Sequence, residues 1–396
     1  MIQTNRAMLG DSVNIKKREY KKGGNEEMKF ICEKDRLSEA LTNVSKAVSD
    51  KSALSALEGI KFSLNENELE LTGYDLEIGI RTKIEVRSPD RGEFIANAKI
   101  FSEMVRKMPG DDISIEVTDN YLITIESGVT SYNLNSVAAD DYPQLPAKDV
   151  SNEIKIPQPV LKSMIVQTKF AASQLDIKPI LKGELFEIDN NMITVAAIDG
   201  YRLAVRTEPV AYDGSIKFVV PAKNLDEVSK LLSDDENESC SMFVSKKHII
   251  FEVGNYLINS RLLEGEFHPY KSSIPNSCTT TVVVERNKLI RALERCLLLI
   301  NEKNPSPVRC YFENNQVSLK CSTNSLGKIY DEIDLTATGP AIEIGFKCRF
   351  FLDPLKAIND DKVKLELNGS LMPMKIVPLE GDGYVYLVLP VRLPKE

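Results

Sequence analysis

Apolar and polar residues alternate in short stretches throughout residues 28–393. Leu69/Leu71, Leu76/Ile78/Ile80 and Ile113/Ile115/Val117 are examples, with Gly, Asn, Asp or Pro at the borders. Such alternation puts every second side chain on one face, so these stretches predict half-buried strands. Helical spacing interrupts them at regular places. Leu37, Ala40, Leu41, Val44 and Val48 share one helical face, as do Leu161, Met164, Ile165 and Thr168, and Leu289, Ala292, Leu293 and Cys296. A second set of helices is predicted over residues 98–108, 222–232 and 347–358.

The pattern occurs three times. Strand-like residues 60–64, 185–188 and 309–312 each run into a polar turn, at Glu66-Asn67, Asn190-Asn191 and Asn314-Asn315, at intervals of 124 residues. Asn97-Ala98-Lys99, Pro221-Ala222-Lys223 and Gly345-Phe346-Lys347 place three lysines at the same interval. This period is too long for a solenoid unit and fits a complete small domain. The chain therefore reads as α+β, with three similar domains of antiparallel sheet and two helices each, over residues 28–150, 151–277 and 278–396. Linkers are expected at 146–152 and 275–280. Residues 1–27 carry Lys16, Lys17, Arg18, Lys21 and Lys22, lie outside the repeat, and are expected to form a flexible leader.

Charge changes the picture. The chain carries −8, yet the helix windows 35–48, 98–108, 158–171, 222–232, 286–299 and 347–358 sum to +9, which leaves −17 for everything else. Basic residues recur at i and i+7 as Lys99/Arg106, Lys162/Lys169, Lys223/Lys230, Lys288/Arg295 and Arg349/Lys356, two helical turns apart and so in one stripe. Lys51 and Arg291 join this set. One charged stripe is usually a solvated face, and the windows 35–48 and 222–232 are neutral. Recurrence across three domains of an acidic chain points instead to a polyanion held by the helices, nucleic acid bound through its phosphates.

Catalytic signatures are absent from the sequence. It has no phosphate-binding loop, dinucleotide fingerprint, H-E-x-x-H or nucleophile elbow, and neither His248 nor His268 has a nucleophile or second histidine nearby. The acidic pairs and triplets at Asp140-Asp141, Asp234-Asp235-Glu236 and Asp360-Asp361 fit solvated turns, so no metal and no cofactor are expected. Seven cysteines without a C-x-x-C pair read as buried reduced thiols. No apolar run reaches the length of a membrane span, and the leader has no signal-type apolar region, so the cytoplasm is the expected compartment.

Three ordered motifs then carry a resemblance: residues 198–204 (Ile-Asp-Gly-Tyr-Arg-Leu-Ala), 267–275 (Phe-His-Pro-Tyr-Lys-Ser-Ser-Ile-Pro) and 386–393 (Tyr-Leu-Val-Leu-Pro-Val-Arg-Leu). Together with the threefold repeat, over residues 28–393, the chain resembles the beta subunits of bacterial DNA polymerase III, the sliding clamps. The resemblance implies a non-catalytic homodimer, closed head to tail into a six-domain ring. Its twelve helices would face duplex DNA without reading its sequence and would make the attached polymerase processive. It also implies a groove between the second and third domains for short peptides from the polymerase III alpha subunit, the clamp loader, other polymerases and repair proteins. Carried over by motif, the groove walls are Leu181, Ile198, Gly200, Tyr201, Arg202 and Leu203, with Ser273, Leu387, Leu389, Pro390, Val391 and Arg392. The ring contact would pair Tyr132 and Leu134 with Leu298 and Leu299, in a run of five apolar residues (296–300) that one helix face cannot bury. Tyr201 stands where the family usually has histidine, His268 where proline is common, and Ser272-Ser273 for a more basic and apolar pair. Pro394-Lys395-Glu396 extend past the usual terminus. These departures imply an altered peptide preference. Two rival readings are a β-rich repeat scaffold binding protein or carbohydrate, which leaves the helical charge unexplained, and a trimeric-type clamp, which needs only two domains per chain.

Overall fold

A computed structural model of the chain describes residues 27–49, 51–176, 178–301, 303, 305–313 and 315–393. The expected leader lies outside the described residues apart from Glu27, as do Asn314 of the third turn and Pro394 to Glu396.

The first repeat runs β1 (Met28–Glu33), α1 (Lys34–Val44), β2 (Gly59–Asn65), β3 (Glu68–Tyr74), β4 (Ile78–Glu85), β5 (Arg91–Asn97), α2 (Ala98–Arg106), β6 (Asp112–Val117), β7 (Leu122–Ser127) and β8 (Thr130–Asn135). The second runs β9 (Glu153–Pro157), α3 (Gln158–Thr168), β10 (Gly183–Asp189), β11 (Met192–Ile198), β12 (Arg202–Pro209), β13 (Ile216–Pro221), α4 (Ala222–Leu231), β14 (Ser239–Val244), β15 (His248–Val253) and β16 (Tyr256–Arg261). The third runs β17 (Thr280–Glu285), α5 (Arg286–Leu297), β18 (Val308–Glu313), β19 (Gln316–Thr323), β20 (Gly327–Asp334), a short β21 (Thr336–Thr338), β22 (Ile342–Phe346), α6 (Cys348–Ala357), β23 (Lys362–Leu367), β24 (Met374–Val377) and β25 (Tyr384–Val388).

Local chemistry explains these elements. On β1, Met28, Phe30 and Cys32 are buried while Lys29 and Glu33 are exposed. Helix α1 buries Leu37, Ala40, Leu41 and Val44. The Asn97 side chain accepts from the Ile100 amide at 3.0 Å and caps α2, whereas Pro221 and Lys347 open α4 and α6 without a side-chain cap. The turn residues Glu66, Asn190, Asn191 and Asn315 all have positive φ, which short polar side chains tolerate best. The helices are shorter than their predicted windows: α1 gives way to a 3-10 turn, leaving Val48 beyond it, and α2, α4 and α6 stop one or two residues early.

The sheets do not respect the repeats. Four-stranded sheets lie at the two ends, β1-β6-β7-β8 and β20-β19-β18-β22. Between them, β4 pairs β16 (Ile80↔Ile258) and β12 pairs β25 (Ala204↔Tyr386), so eight- and nine-stranded sheets cross the two boundaries. The helices pack pairwise as α1/α2, α3/α4 and α5/α6, with α3 also against α6. Lys46, just past α1, lies within electrostatic reach of Asp226, Glu227 and Lys230 on α4. The six helices thus form one row, α2-α1-α4-α3-α6-α5. One hydrophobic core spans the first and second repeats, and another fills the third.

Internal comparison corrects the lysine register. The residues that precede α2, α4 and α6 are Asn97, Pro221 and Lys347, so the third-repeat counterpart of Lys99 and Lys223 is Arg349, not Lys347. The same two-residue shift appears in the strand ahead of α6. Ile60 faces Ala96 and Glu184 faces Val220, but Val308 faces Phe346. The third repeat holds extra residues around β20 and β21, and the interval to Lys347 is a coincidence.

One buried position breaks the repeat chemically. Ile60, Glu184 and Val308 correspond on β2, β10 and β18, and all three are fully buried. Glu184 meets Thr168 of α3, whose counterparts by helix position are Val44 and Cys296. Burial pushes the Glu184 carboxyl up to about 8, with Thr168 and Lys169 opposing the shift. The Thr168 hydroxyl lies within hydrogen-bond reach of both the Met164 carbonyl, at 2.8 Å, and Glu184. A hydroxyl has one proton to give, so a protonated Glu184 satisfies both contacts by bringing its own. Because the folded value lies above the usual 4.5, this group's stability is complete below pH 4.5 and is lost as pH rises toward 8. Glu184→Gln should therefore melt with the wild type at pH 5 and above it at pH 8.5, by a difference on the order of 2–5 kcal/mol. Equal melting curves at pH 8.5 would rule out a buried titrating acid.

Candidate functional site

Two features of the helical row and its boundary collect the residues singled out from the sequence. The first is the row's exposed charge. Of the twelve cations expected to face a polyanion, seven are engaged by carboxylates of the chain itself. Lys162 meets Asp234 at 2.8 Å, Lys230 meets Glu227 at 2.8 Å, Lys288 meets Glu285 at 2.9 Å, Arg295 meets Asp331 at 2.7 Å and Lys356 meets Glu294 at 2.7 Å. Arg106 pairs with Glu103, and Lys169 with Asp226. Lys51, Lys99, Lys223, Arg291 and Arg349 are exposed and have no ion pair among the described residues. Lys99, Lys223 and Arg349 occupy the same place in the first turn of α2, α4 and α6. Exposed pairs stabilise a fold by under about 1 kcal/mol, so Arg106, Lys288 and Lys356, whose acids are exposed as they are, can still exchange partners.

The second feature is an apolar cluster with an exposed rim where the second and third repeats meet. Leu185, Ala196, Leu203, Val205, Val219, Phe267, Tyr270 and Leu387 form a small buried cluster, flanked by half-buried Leu181, Ile198 and Ile274. Tyr201 (50% exposed), Leu389 (38% exposed), Gly200 and Ser273 stand at its rim. An Asx turn sets this rim: Asp199 Oδ1 accepts from the amides of Tyr201 and Arg202 at 2.9 and 3.0 Å, and Gly200 takes φ of 89°. The Leu389 amide donates to the Tyr201 carbonyl at 2.8 Å and the Val391 amide to the Gly345 carbonyl at 2.8 Å, which pins the C-terminal segment across the boundary. Pro390 lies between these bonds and needs no acceptor.

Arg202 is the bolt of the site. Its Nε donates to Asp199 at 3.0 Å, its Nη1 to Asp353 on α6, and the guanidinium lies over Phe350 at 4.6 Å and Phe170 at 5.6 Å. Beside it the Tyr201 ring packs on Phe350, and Lys347 Nζ sits 4.4 Å from the Tyr201 ring and 5.0 Å from the Phe350 ring. Lys347, Phe350 and Asp353 escaped the sequence reading because their role depends on α6 packing at the boundary.

The first boundary holds a buried counterpart of this cluster. Leu57, Tyr74 and Gly79 occupy the places of Leu181, Ile198 and Leu203. Leu57, Tyr74, Ile95, Ala139 and Tyr142 are buried together with Leu145 packed against them. A Cβ on Gly79 would fall 2.3 Å from Leu145 Cδ2, so the linker side chain fills the space directly.

The four residues of the expected ring contact separate into two places. Tyr132 and Leu134 face inward on β8 against the first core, and Leu299 is half-buried while Leu298 is 78% exposed just past the end of α5. Both β8 and β20 are outer edges of their sheets. The acidic turns are exposed, and among the described residues no group of His, Cys, Asp or Glu could hold a metal. Six cysteines are buried, Cys278 is half-buried and all are free thiols. No described helix is long and apolar enough to cross a membrane.

Removing Arg202 would strand Asp353 at the boundary and release Phe350. Arg202→Ala should cost about 2–4 kcal/mol and speed amide exchange in β12 and β25 before β2 and β3. Uniform exchange across all four strands would show that Arg202 does not bolt this boundary.

Comparison with known proteins follows these features. Sequence profiles described as the DNA polymerase III beta subunit match in three pieces: the N-terminal domain over residues 28–146, the central domain over 155–269 and the C-terminal domain over 271–392. The beta sliding clamp of Halalkalibacterium halodurans is 33% identical over 379 residues, covering 92% of this chain and 100% of that protein. That of Bacillus subtilis is 33% identical over 378 residues, with 92% and 100% covered. The crystal structure of the DNA polymerase sliding clamp from Bacillus subtilis superposes with a TM-score of 0.89 at 31% identity, covering 93% of this chain and 100% of that one. The beta subunit from the DNA polymerase of Streptococcus pyogenes gives 0.87 at 26% identity, covering 92% and 100%.

Proposed function

The chain belongs to the DNA polymerase III beta subunit family, and from that premise we propose that two copies close head to tail into a DNA sliding clamp. Domains are taken as residues 28–150, 151–277 and 278–396. The observation that carries this reading is the pair of unmatched edges. Counterpart strands β4, β12 and β20 would each seek a partner among β16, β25 and β8, and the first two find theirs within the chain. β20 and β8 remain, one at each end, as a second copy requires. Leu298 and Leu299 then lose their exposure beside Tyr132 and Leu134 of the partner subunit.

The six helices of each copy face the hole. Lys99, Lys223 and Arg349 would meet phosphates directly, and the paired cations add weaker, exchangeable contacts. Binding of this kind is blind to sequence and permits sliding, so retention comes from closure of the ring. The clamp works without catalysis, as a tether that makes a polymerase processive. A scaffold for protein or carbohydrate gives the helical cations nothing to do.

The groove at the second boundary takes short linear peptides, from the polymerase III alpha subunit, the clamp loader, other polymerases and repair proteins. Its apolar floor and narrow rim suit a Gln with an apolar pair. The walls are those read from sequence, with Lys347 and Phe350 added. Leu389→Ala should weaken binding of such a peptide about tenfold or more, in line with loss of a buried apolar contact. Unchanged affinity would place peptide binding elsewhere.

Ring closure is directly testable. Burial alternates in phase on β8 and β20, and the spacing of the two internal ladders sets Tyr132 opposite Ile329 of the partner subunit. Oxidation of the Tyr132→Cys/Ile329→Cys variant should give covalently closed dimers, whereas Tyr132→Cys/Tyr330→Cys, whose side chains point to opposite faces, should not. Once closed on a nicked circular plasmid with its loader, the ring should survive high salt and slip off when the plasmid is cut. Retention on the cut plasmid, or no cross-linked dimer from either pair, would refute topological binding.

A further inference from the structure

Glu184 lies beneath the middle of the helical row. It is fully buried on β10, its Oε2 meets the Thr168 hydroxyl, and its Oε1 has no hydrogen-bond partner among the described residues. Thr168 is the last residue of α3, and the next residue, Lys169, carries its ammonium over to Asp226 on α4. Asp226 also receives Lys230 at 2.9 Å, Lys230 reaches Glu227 at 2.8 Å, and Lys46, just past α1, lies within electrostatic reach of all three. Three helices thus bring three cations and two carboxylates into one cluster. Its net charge is +1 while Glu184 keeps its proton and zero once that proton is gone. The charges that act on Glu184 are Lys169 from the α3 side and Asp226 from α4, while Val220 on β13 and Ala196 and Ala197 on β11 are apolar.

We propose that Glu184 is a proton-operated control on the row's hold on DNA: loss of its proton draws Lys169 inward from Asp226 and withdraws one positive charge per subunit from the face that meets phosphates. This rests on the reading that the row faces DNA. An ionised carboxylate with one neutral hydrogen bond and one bare oxygen is costly in an apolar interior unless a cation joins it. Lys169 is tethered one residue past the hydroxyl that already touches Glu184, so a change of side-chain rotamer is enough to bring it in. The move leaves no acid stranded, because Asp226 keeps Lys230. Burial raises the Glu184 carboxyl to about 8, so the change falls just above neutral pH. DNA on the row favours the protonated form, and by linkage its hold weakens as pH rises. Ile60 and Val308 stand at the equivalent buried positions, so the control belongs to the second repeat alone.

The test titrates a labelled linear duplex with the full chain at low salt, by fluorescence anisotropy at pH 7 and pH 9, with circular dichroism checking that each form is folded at both. Wild type and Glu184→Gln should bind alike at pH 7. At pH 9 the wild type should bind about tenfold more weakly than this variant, as expected for about one lost phosphate contact per subunit. Glu184→Ile, which carries the first-repeat residue, should behave as Glu184→Gln does, so a folding defect in one variant leaves the other to decide. Groups that titrate elsewhere are shared by the wild type and both variants, and their effects cancel in the comparison. Lys169→Gln should bind more weakly at pH 7 and lose no more by pH 9 than Glu184→Gln does. If the wild type and the Glu184 variants weaken equally between the two pH values, the inference is overturned and the clamp reading stands. A wild-type loss that persists in full in Lys169→Gln overturns it too, because the charge then leaves the row by another route. If no form binds the duplex and the loaded ring also fails the plasmid test, the reading of the row falls and this inference goes with it.

Discussion

Strand β4 hydrogen-bonds β16 and strand β12 hydrogen-bonds β25, and without these two ladders the three repeats would be beads on a string. An unpaired sheet edge is a row of backbone donors and acceptors that water alone must satisfy, and it invites any passing strand. At each internal boundary one such edge of a repeat is covered by a strand of its neighbour. The consequence is rigidity over the whole chain, because backbone ladders fix both spacing and angle where side-chain contacts alone would hinge. The helices inherit that geometry and line up in one row. In the proposed ring the β20 and β8 edges would be covered in the same way, so one kind of bond would make every boundary.

Identical backbones at the boundaries carry different side chains. At the first, Asn224 donates to the Glu77 carbonyl at 3.2 Å and to Ser260 at 2.9 Å, and Leu145 closes the floor over Gly79. At the second, Leu203 stands in the place of Gly79, and Arg202 bonds both Asp199 and Asp353 across the boundary. Equivalent strands thus close over a glycine in one place and carry a leucine and a charged bolt in the other.

Much of this was legible in the sequence, and the illegible part has definite causes. Alternation and helical spacing revealed strands, helices and the threefold repeat, because each reports which face of a local element is buried. The motif at residues 198–204 pointed to the rim of the groove, since its Asp-Gly turn is local chemistry. Sheets that cross boundaries left no trace, because β4 and β16 are far apart in sequence and either could have paired elsewhere. Interval counting misplaced Lys347, as a constant spacing cannot see a compensated insertion near β21. Glu184 looked like any other charged residue on a strand, and only its neighbours Thr168 and Lys169 reveal a buried acid.

The division of the helix cations into paired and unpaired sets follows from what a sliding contact demands. A ring lined with nothing but free cations would hold phosphates tightly, release many counterions, and pay for every step in broken contacts. Pairing Lys288 and Lys356 with nearby acids lowers the standing potential and leaves each cation able to swap a carboxylate for a phosphate at little net cost, because both partners are exposed. In the proposed ring the unpaired first-turn cations Lys99, Lys223 and Arg349, one per repeat, would repeat around the hole and give an even field instead of a single deep well. A smooth, shallow potential suits a protein whose hold on DNA comes from closure, and the acidic remainder of the surface keeps other polyanions off the outside.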